Sequence, residues 1–285
     1  MKAKLLKSLT VHVLTVAAGV IWLTASPLSL HGAMPGQKQI EQSLRDTYKG
    51  KSLFLRNFYV SPTLHFDSKG DVMGPQGVGP WTLYSRIIVN GFRLKSNVLE
   101  IDGDRLFLLY LPENKRFQAL RGRRVRIRVD LDHEPSSIQD LEPLLVKIFL
   151  KPGEDFSQLV PPYWQGFYSH MNNPDWSQKE ANRGAKVPWD QKEAANGWTP
   201  PVPIHRPEPG YSAEARAARI SGTVVLVAVI DQDGHVTNVV LIRPLGMGLD
   251  EQAVETTRTW TFKPAQHNGN AKAAKIIIET TFRLR

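Results

Sequence analysis

Between Ser212 and Phe282 the spacing of apolar residues switches back and forth between helical and extended periods, and this restricts the fold more than any other feature of the chain. Ser212 suits the N-cap of a short helix through Arg219, with Glu214 in the first turn, where the helix dipole favours an acid. Gly222 starts a strand, Thr223 to Ile230. Asp231-Gln232-Asp233-Gly234 reads as a turn, and Val236 to Ile242 returns antiparallel. Leu249, Ala253, Val254, Thr257 and Trp260 recur at helical spacing behind Asp250 and Glu251, with Pro264 as the stop. Trp260, on that apolar stripe, reads as core. Asn268-Gly269 then turns the chain into a last β-branched strand, Lys275 to Phe282. The order αββαβ predicts a small antiparallel sheet with helices packed on one face.

Upstream, residues 34–132 read mainly as β. Leu53 to Val60 and Trp81 to Val89 are apolar and aromatic runs. Val98 to Ile101 and Arg105 to Leu111 flank Asp102-Gly103-Asp104, a composition that predicts a tight hairpin. Val125, Ile127, Val129 and Leu131 alternate with Arg124, Arg126, Arg128 and Asp130, so that strand has one buried and one wet face. Ser136 or Ser137 opens a helix carrying Ile138, Leu141, Leu144, Leu145 and Ile148, which Pro152-Gly153 stops. From about Gln165 to Pro203 Asn, Gly and Pro punctuate without periodicity, which reads as a linker. Its three tryptophans, Trp176, Trp189 and Trp198, are unusual there and are expected to dock on a domain surface. The fold class is therefore α+β. A β-rich domain with a C-terminal helix spans 34–165, a linker 166–200 and the αββαβ module 201–285.

The first 33 residues form a targeting segment. Lys2, Lys4 and Lys7 precede an uncharged, mostly apolar stretch from Leu9 to Ala25, and Pro27 ends it. Ala25 and Ala33 are candidate cleavage points. The alternative is an uncleaved anchor. Its seventeen residues span about 25 Å as a helix, slightly short of a hydrocarbon core of about 30 Å. On either reading the remainder leaves the cytoplasm, in soluble form or held at the membrane by residues 5–30.

The net charge of +9 is partly those N-terminal lysines, and no globular segment has the basic excess of a nucleic-acid binder. The absence of cysteine excludes disulfides, thiolate catalysis and Cys-ligated zinc. Arg121, Arg123, Arg124, Arg126 and Arg128 form a basic strip that reads as a solvated strand face, with contact to lipopolysaccharide or an acidic membrane surface as the functional alternative. His65, Asp67, Asp130, Asp132, His133 and Glu134 are of metal-ligand type but lack the spacing of a known metal motif. A nucleophile elbow, a P-loop and a dinucleotide fingerprint are absent from the sequence. The reading is a non-enzymatic chain without cofactor or metal.

The C-terminal residues resemble the TonB C-terminal domain family. Pro207-Glu208-Pro209-Gly210-Tyr211-Ser212 stands where the family has a Pro-x-Tyr-Pro stretch, with Ser212 in place of the second proline. Ala215-Arg216, Ile220 to Val224, Asp231, Gly234, Val236, Leu249-Asp250, Ala253, Trp260, Phe262 to Ala265 and Asn268-Gly269 complete the ordered set. The resemblance implies an energy transducer that binds the TonB box, an extended peptide of a TonB-dependent outer-membrane transporter. The peptide pairs with the exposed edge of the last strand. Carried over, the partner-binding residues are Pro207, Glu208, Pro209, Gly210 and Tyr211, with Ile276, Ile277, Ile278, Glu279, Thr280 and Phe282. Such a transducer couples to the ExbB–ExbD proton motor, and some family members carry an SxxxH motif in the membrane helix. Ser8 and His12 have that spacing, which is also what two incidental polar residues of a signal peptide would show. The long Pro-rich spacer usual in transducers is missing. A soluble periplasmic binding or scaffold protein using the same edge without a motor is therefore the alternative, and an exposed edge also leaves a homodimer open.

Overall fold

The computed structural model describes residues 36–170 and 196–284. They divide into two compact units. One comprises the chain up to Leu108 with Phe117–Phe156, the other Leu109–Arg116 with everything from Ser157 onward. The division at 156/157 places residues 157–165 in the C-terminal unit, whereas the sequence reading ends the first domain at 165. Ser8, His12, Trp176 and Trp189 lie outside the described residues.

The first unit is built on a mixed five-stranded sheet. Its strands are β1 (Ser52–Phe54), β2 (Thr63–Phe66), β3 (Arg86–Lys95), β4 (Val98–Leu111) and β5 (Arg116–Asp130), in the order β1-β3-β4-β5-β2. β2 runs parallel to β5, while β3 is antiparallel to both β1 and β4. One face is covered by α1 (Gly36–Tyr48) and α3 (Glu142–Ile148), which lie either side of the single turn α2 (Trp81–Tyr84) in the chain. Ile40 and Leu44 of α1, Leu144, Leu145 and Ile148 of α3, and the inward residues of the strands make one core. As the alternation predicts, Val125, Ile127 and Val129 are buried while Arg124 and Arg126 are exposed.

The sequence misjudges several elements of this unit. Asp102-Gly103-Asp104 is no hairpin: β4 passes straight through it. Asp102 and Asp104 face outward, where they pair with Arg126 at 3.1 Å and Arg121 at 2.9 Å. Gly103 faces inward by the strand's alternation, and a Cβ there would stand 2.8 Å from the carbonyl oxygen of Ile88. The true turn is Ser96-Asn97, with Ser96 in the left-handed region at φ 48° and Lys95 opposite Val98. Leu53 to Val60 is not one strand. After Phe54 the chain bends, and Arg56 fixes the bend through the Val146 carbonyl and a two-pronged pair with Glu154. Trp81 to Tyr84 form α2 rather than the start of β3. Buried Arg105 donates to the carbonyls of Tyr84, Tyr59 and Ser61 at 2.7, 2.7 and 3.1 Å, pinning both segments. The helix expected after Ser136 begins as a 3-10 turn, with Ser137 and Asp140 exchanging capping hydrogen bonds, and ends at Phe149 rather than at Pro152. Helix α1 was not anticipated.

Three arginines of the basic strip are held in ion pairs, Arg121 and Arg126 across strands and Arg128 within its own strand. Besides the two named above, Arg93 meets Glu100 at 3.0 Å and Arg128 meets Asp130 at 3.0 Å. Asp130 also bonds His65 at 2.7 Å. Opposite charges across a sheet stabilise it modestly, and here they offset Arg121 and Arg126 of the strip.

The second unit contains α4 (Pro162–His170), β6 (Trp198–Thr199), β7 (Val202–His205), α5 (Ala213–Ala217), β8 (Gly222–Ile230), β9 (Val236–Arg243), α6 (Leu249–Thr257), β10 (Thr261–Lys263), β11 (Ala265–His267), β12 (Asn270–Lys272) and β13 (Ala274–Phe282). The three long strands form an antiparallel sheet in the order β13-β8-β9, with Ile278 opposite Leu226 and Leu226 opposite Leu241. This is the anticipated αββαβ order with an added arm. β6 pairs with β11 and β7 with β10, both antiparallel. Trp198 stacks on His267, ring centroids 4.6 Å apart. The apparent linker up to Pro203 is thus, from residue 198, two short strands, each at the edge of its sheet, a position where proline is tolerated. Helix α6 stops at Thr257, short of Pro264, so Trp260 is buried in the link to β10 rather than on the helix.

Candidate functional site

β13 is an outer strand of its sheet. Its backbone pairs along its whole length with β8, and no other strand among the described residues pairs with it. Such an edge presents unpaired N–H and C=O groups in a row. Along β13 the side chains alternate. Ile278, Thr280 and Phe282 are buried, Glu279 and Thr281 are exposed, and Ile277 is 48% exposed. Ile276, also on β13, is half-buried. The inward set anchors the strand to the core and the outward set leaves its solvent face open.

The stretch Pro207 to Tyr211 is fixed at both ends. The Trp260 indole N–H donates to the Pro207 carbonyl at 3.1 Å, and the Arg206 guanidinium lies 4.8 Å from the Trp260 ring centroid. At the other end the Tyr211 ring meets Phe282 edge-on at 5.4 Å, and its hydroxyl donates to the Ile220 carbonyl at 3.1 Å. Tyr211 therefore joins this stretch to the end of β13, while Glu208 and Gly210 remain exposed. Ser212 caps α5 by accepting from Ala215 N–H at 3.0 Å, and its hydroxyl donates to the Met247 carbonyl at 2.5 Å. A proline there could make neither bond.

Met247 belongs to a loop that sequence reasoning passed over. Gly246, Met247 and Gly248 all have positive φ. Asp250 holds this conformation by accepting from the amides of Leu245 and Gly246, both at 2.7 Å. Asp250 and Glu251 stand in the first turn of α6 as expected, but both are buried. The cluster Gly246-Met247-Gly248 four residues ahead of an acid was the available signal.

Residues 207–284 match the family model described as the Gram-negative bacterial TonB protein C-terminal. This part of the chain belongs to the TonB C-terminal domain family. Two relatives, each named Protein TonB and each from a strain of Xanthomonas campestris pv. campestris, are 31% identical to it over 77 residues. The aligned stretch is 27% of this chain and 34% of theirs, so the chain spans about a third of the length of the curated relatives it matches. A solution NMR structure of the Pseudomonas aeruginosa TonB CTD aligns with 31% of this chain and 90% of its own, at 20% identity and a TM-score of 0.24. The TonB C-terminal match begins at Pro207, so β6, β7, α4 and the stretch Leu109–Arg116 all lie outside it.

Proposed function

We propose that the C-terminal unit captures an extended peptide, the TonB box of an outer-membrane transporter, by adding it as a strand to the free side of β13. The observation that carries this reading is the place of β13 at the end of the sheet β13-β8-β9, beside the anchored Pro207 to Tyr211 stretch. Backbone hydrogen bonds along Ile276 to Phe282 supply affinity, and alternate peptide side chains over Ile277 and Glu279 supply choice. An interface of parallel hydrogen bonds shares a pulling load, which suits energy transduction across the periplasm.

The chain has no cysteine, so single introduced thiols give a clean test. Ile277→Cys and Glu279→Cys are reacted with synthetic peptides from the periplasmic N-termini of outer-membrane transporters, each carrying one cysteine. Strand addition requires that moving the protein thiol by two residues moves the best peptide position by two. Peptides that bind but cross-link without such register would refute it.

A second reading keeps the edge and drops the motor: a soluble periplasmic scaffold. It is favoured by the folded β-rich unit that stands where a transducer has its Pro-rich spacer. Mass spectrometry of the N-terminus from fractionated cells separates the two. An intact Met1 in the inner membrane supports motor coupling through Ser8 and His12, whereas a start after Ala25 or Ala33 in the soluble fraction supports the scaffold.

A further inference from the structure

Helix α4 lies outside the TonB-like match, yet it is seated in the C-terminal unit by an unusual contact. It packs against β9, and Trp164 is fully buried. The Trp164 indole N–H donates to Oε1 of Glu251 at 3.0 Å. Glu251 is only 6% exposed, and its second oxygen, Oε2, is buried with no hydrogen-bond partner. A buried carboxylate oxygen without a donor strongly disfavours the ionised form. The neighbouring Asp250 is buried too, but its two oxygens each accept a backbone amide. Burial pushes both carboxyls up, Asp250 also through the charge of Glu251, but of the two only Glu251 has an oxygen left without a donor.

We propose that Glu251 and Trp164 form a proton-gated latch, which holds α4 against the C-terminal unit while Glu251 is protonated and releases it when Glu251 ionises. Release would hydrate Oε2 and uncover Trp164 and Phe167. The electrostatic surroundings agree. Burial raises the Glu251 carboxyl from 4.5 to about 7, with Glu255 of the same helix adding to the rise. From α4, Tyr163 faces the pair, its own titration pushed up by burial and by Glu251, Asp250 and Glu255, and opposed by Arg258, whose guanidinium lies 5.6 Å from its ring. β8 has no charged residue and β9 only the exposed Arg243, while Glu113, Lys115 and Arg116 in the Leu109–Arg116 stretch are exposed. Among the described residues the cation nearest this group, Arg258, lies against the Tyr163 ring, and no ion pair joins it to Glu251. Because its value in the closed state is raised, the latch is fully favoured below about pH 4.5 and is lost as pH rises through about 7.

Hydrogen exchange of the full chain between pH 5 and 8, corrected for the intrinsic rate, tests this without any peptide ligand. The opening equilibrium of α4 is expected to rise roughly tenfold or more over that range, while the β8–β13 ladder stays constant. Glu251→Gln keeps an acceptor for the indole and removes the titration, so its α4 should stay protected at both ends. A flat wild-type profile, or an unchanged pH dependence in Glu251→Gln, overturns the latch. Trp164→Phe provides a second arm should that variant fail to fold. Loss of the indole N–H should open α4 several-fold at pH 5, and protection equal to wild type there counts against the contact.

Discussion

Gly234→Ala is expected to disrupt the C-terminal unit far more than an ordinary turn substitution. Gly234 closes the β8–β9 hairpin at φ +87°, a conformation that costs an L-residue about 1–2 kcal/mol. The larger effect is spatial. A Cβ at this position would fall 1.8 Å from the carbonyl oxygen of Phe262, a backbone atom that cannot rotate aside. To restore contact distance β10 must withdraw by more than an ångström, which breaks the Phe262 N–H bond to the Gly234 carbonyl, now 2.9 Å, at about 1 kcal/mol. It also loosens buried Phe262 and Trp260, at about 1–2 kcal/mol. The sum is about 3–5 kcal/mol, a large part of a typical domain's 5–15 kcal/mol. The control is Gly269→Ala: its φ is +80°, but a Cβ there meets nothing within 4 Å. It should show the backbone cost alone. Exchange-derived opening energies along β8 and β13, read in the full chain for both variants, should differ by about 2–3 kcal/mol. Equal effects would show that the approach to Phe262 contributes nothing and that turn geometry is the whole role of Gly234.

Two further predictions concern the first unit. Asparagine is tolerated in left-handed turns but cannot fit beside the Ile88 carbonyl. Gly103→Asn should therefore lower the stability of that unit by about 1–3 kcal/mol in denaturant titration, whereas a near-neutral effect would restore the hairpin reading. Arg105→Met leaves the carbonyls of Tyr59, Ser61 and Tyr84 without their donor, and should cost about 2–4 kcal/mol and loosen the segment around α2. Unchanged exchange at residues 59–61 would argue against the clamp.

What the sequence made legible follows from local physics. β8, β9 and β13 were readable because runs rich in β-branched residues are bounded by Asp-Gly and Asn-Gly turns; the pairing of β13 with β8 is long-range and was not. Asp102-Gly103-Asp104 misled because the same three residues satisfy two situations. One is a turn needing a flexible centre. The other is a strand with acids facing arginines outside and a backbone carbonyl pressing on its inner side. Only the neighbouring strand distinguishes them. Helix α1 escaped because its inward stripe is just Ile40 and Leu44, with Tyr48 partly buried, in an otherwise polar stretch. The arm from Trp198 to His205 looked like linker since its prolines carry no periodicity. Its fold comes from partners distant in sequence, β10 and β11.

Asp250 and Glu251 show the same limit at the site. Their position at a helix start was legible from spacing and charge, but their burial depends on α4, which no local pattern announces, and on the loop 245–248, whose one local sign is its glycine cluster. This separates the two functions argued for the C-terminal unit. α4 packs against β9 at one side of the sheet, and β13 is the outer strand at the other, with β8 between them. β8 is buried along most of its length, so moving α4 need not disturb the free side of β13. A variant such as Glu251→Gln should then alter the pH response of α4 while leaving cross-linking at Glu279→Cys in register, and a change in both would mean that the sheet transmits the state of one outer strand to the other.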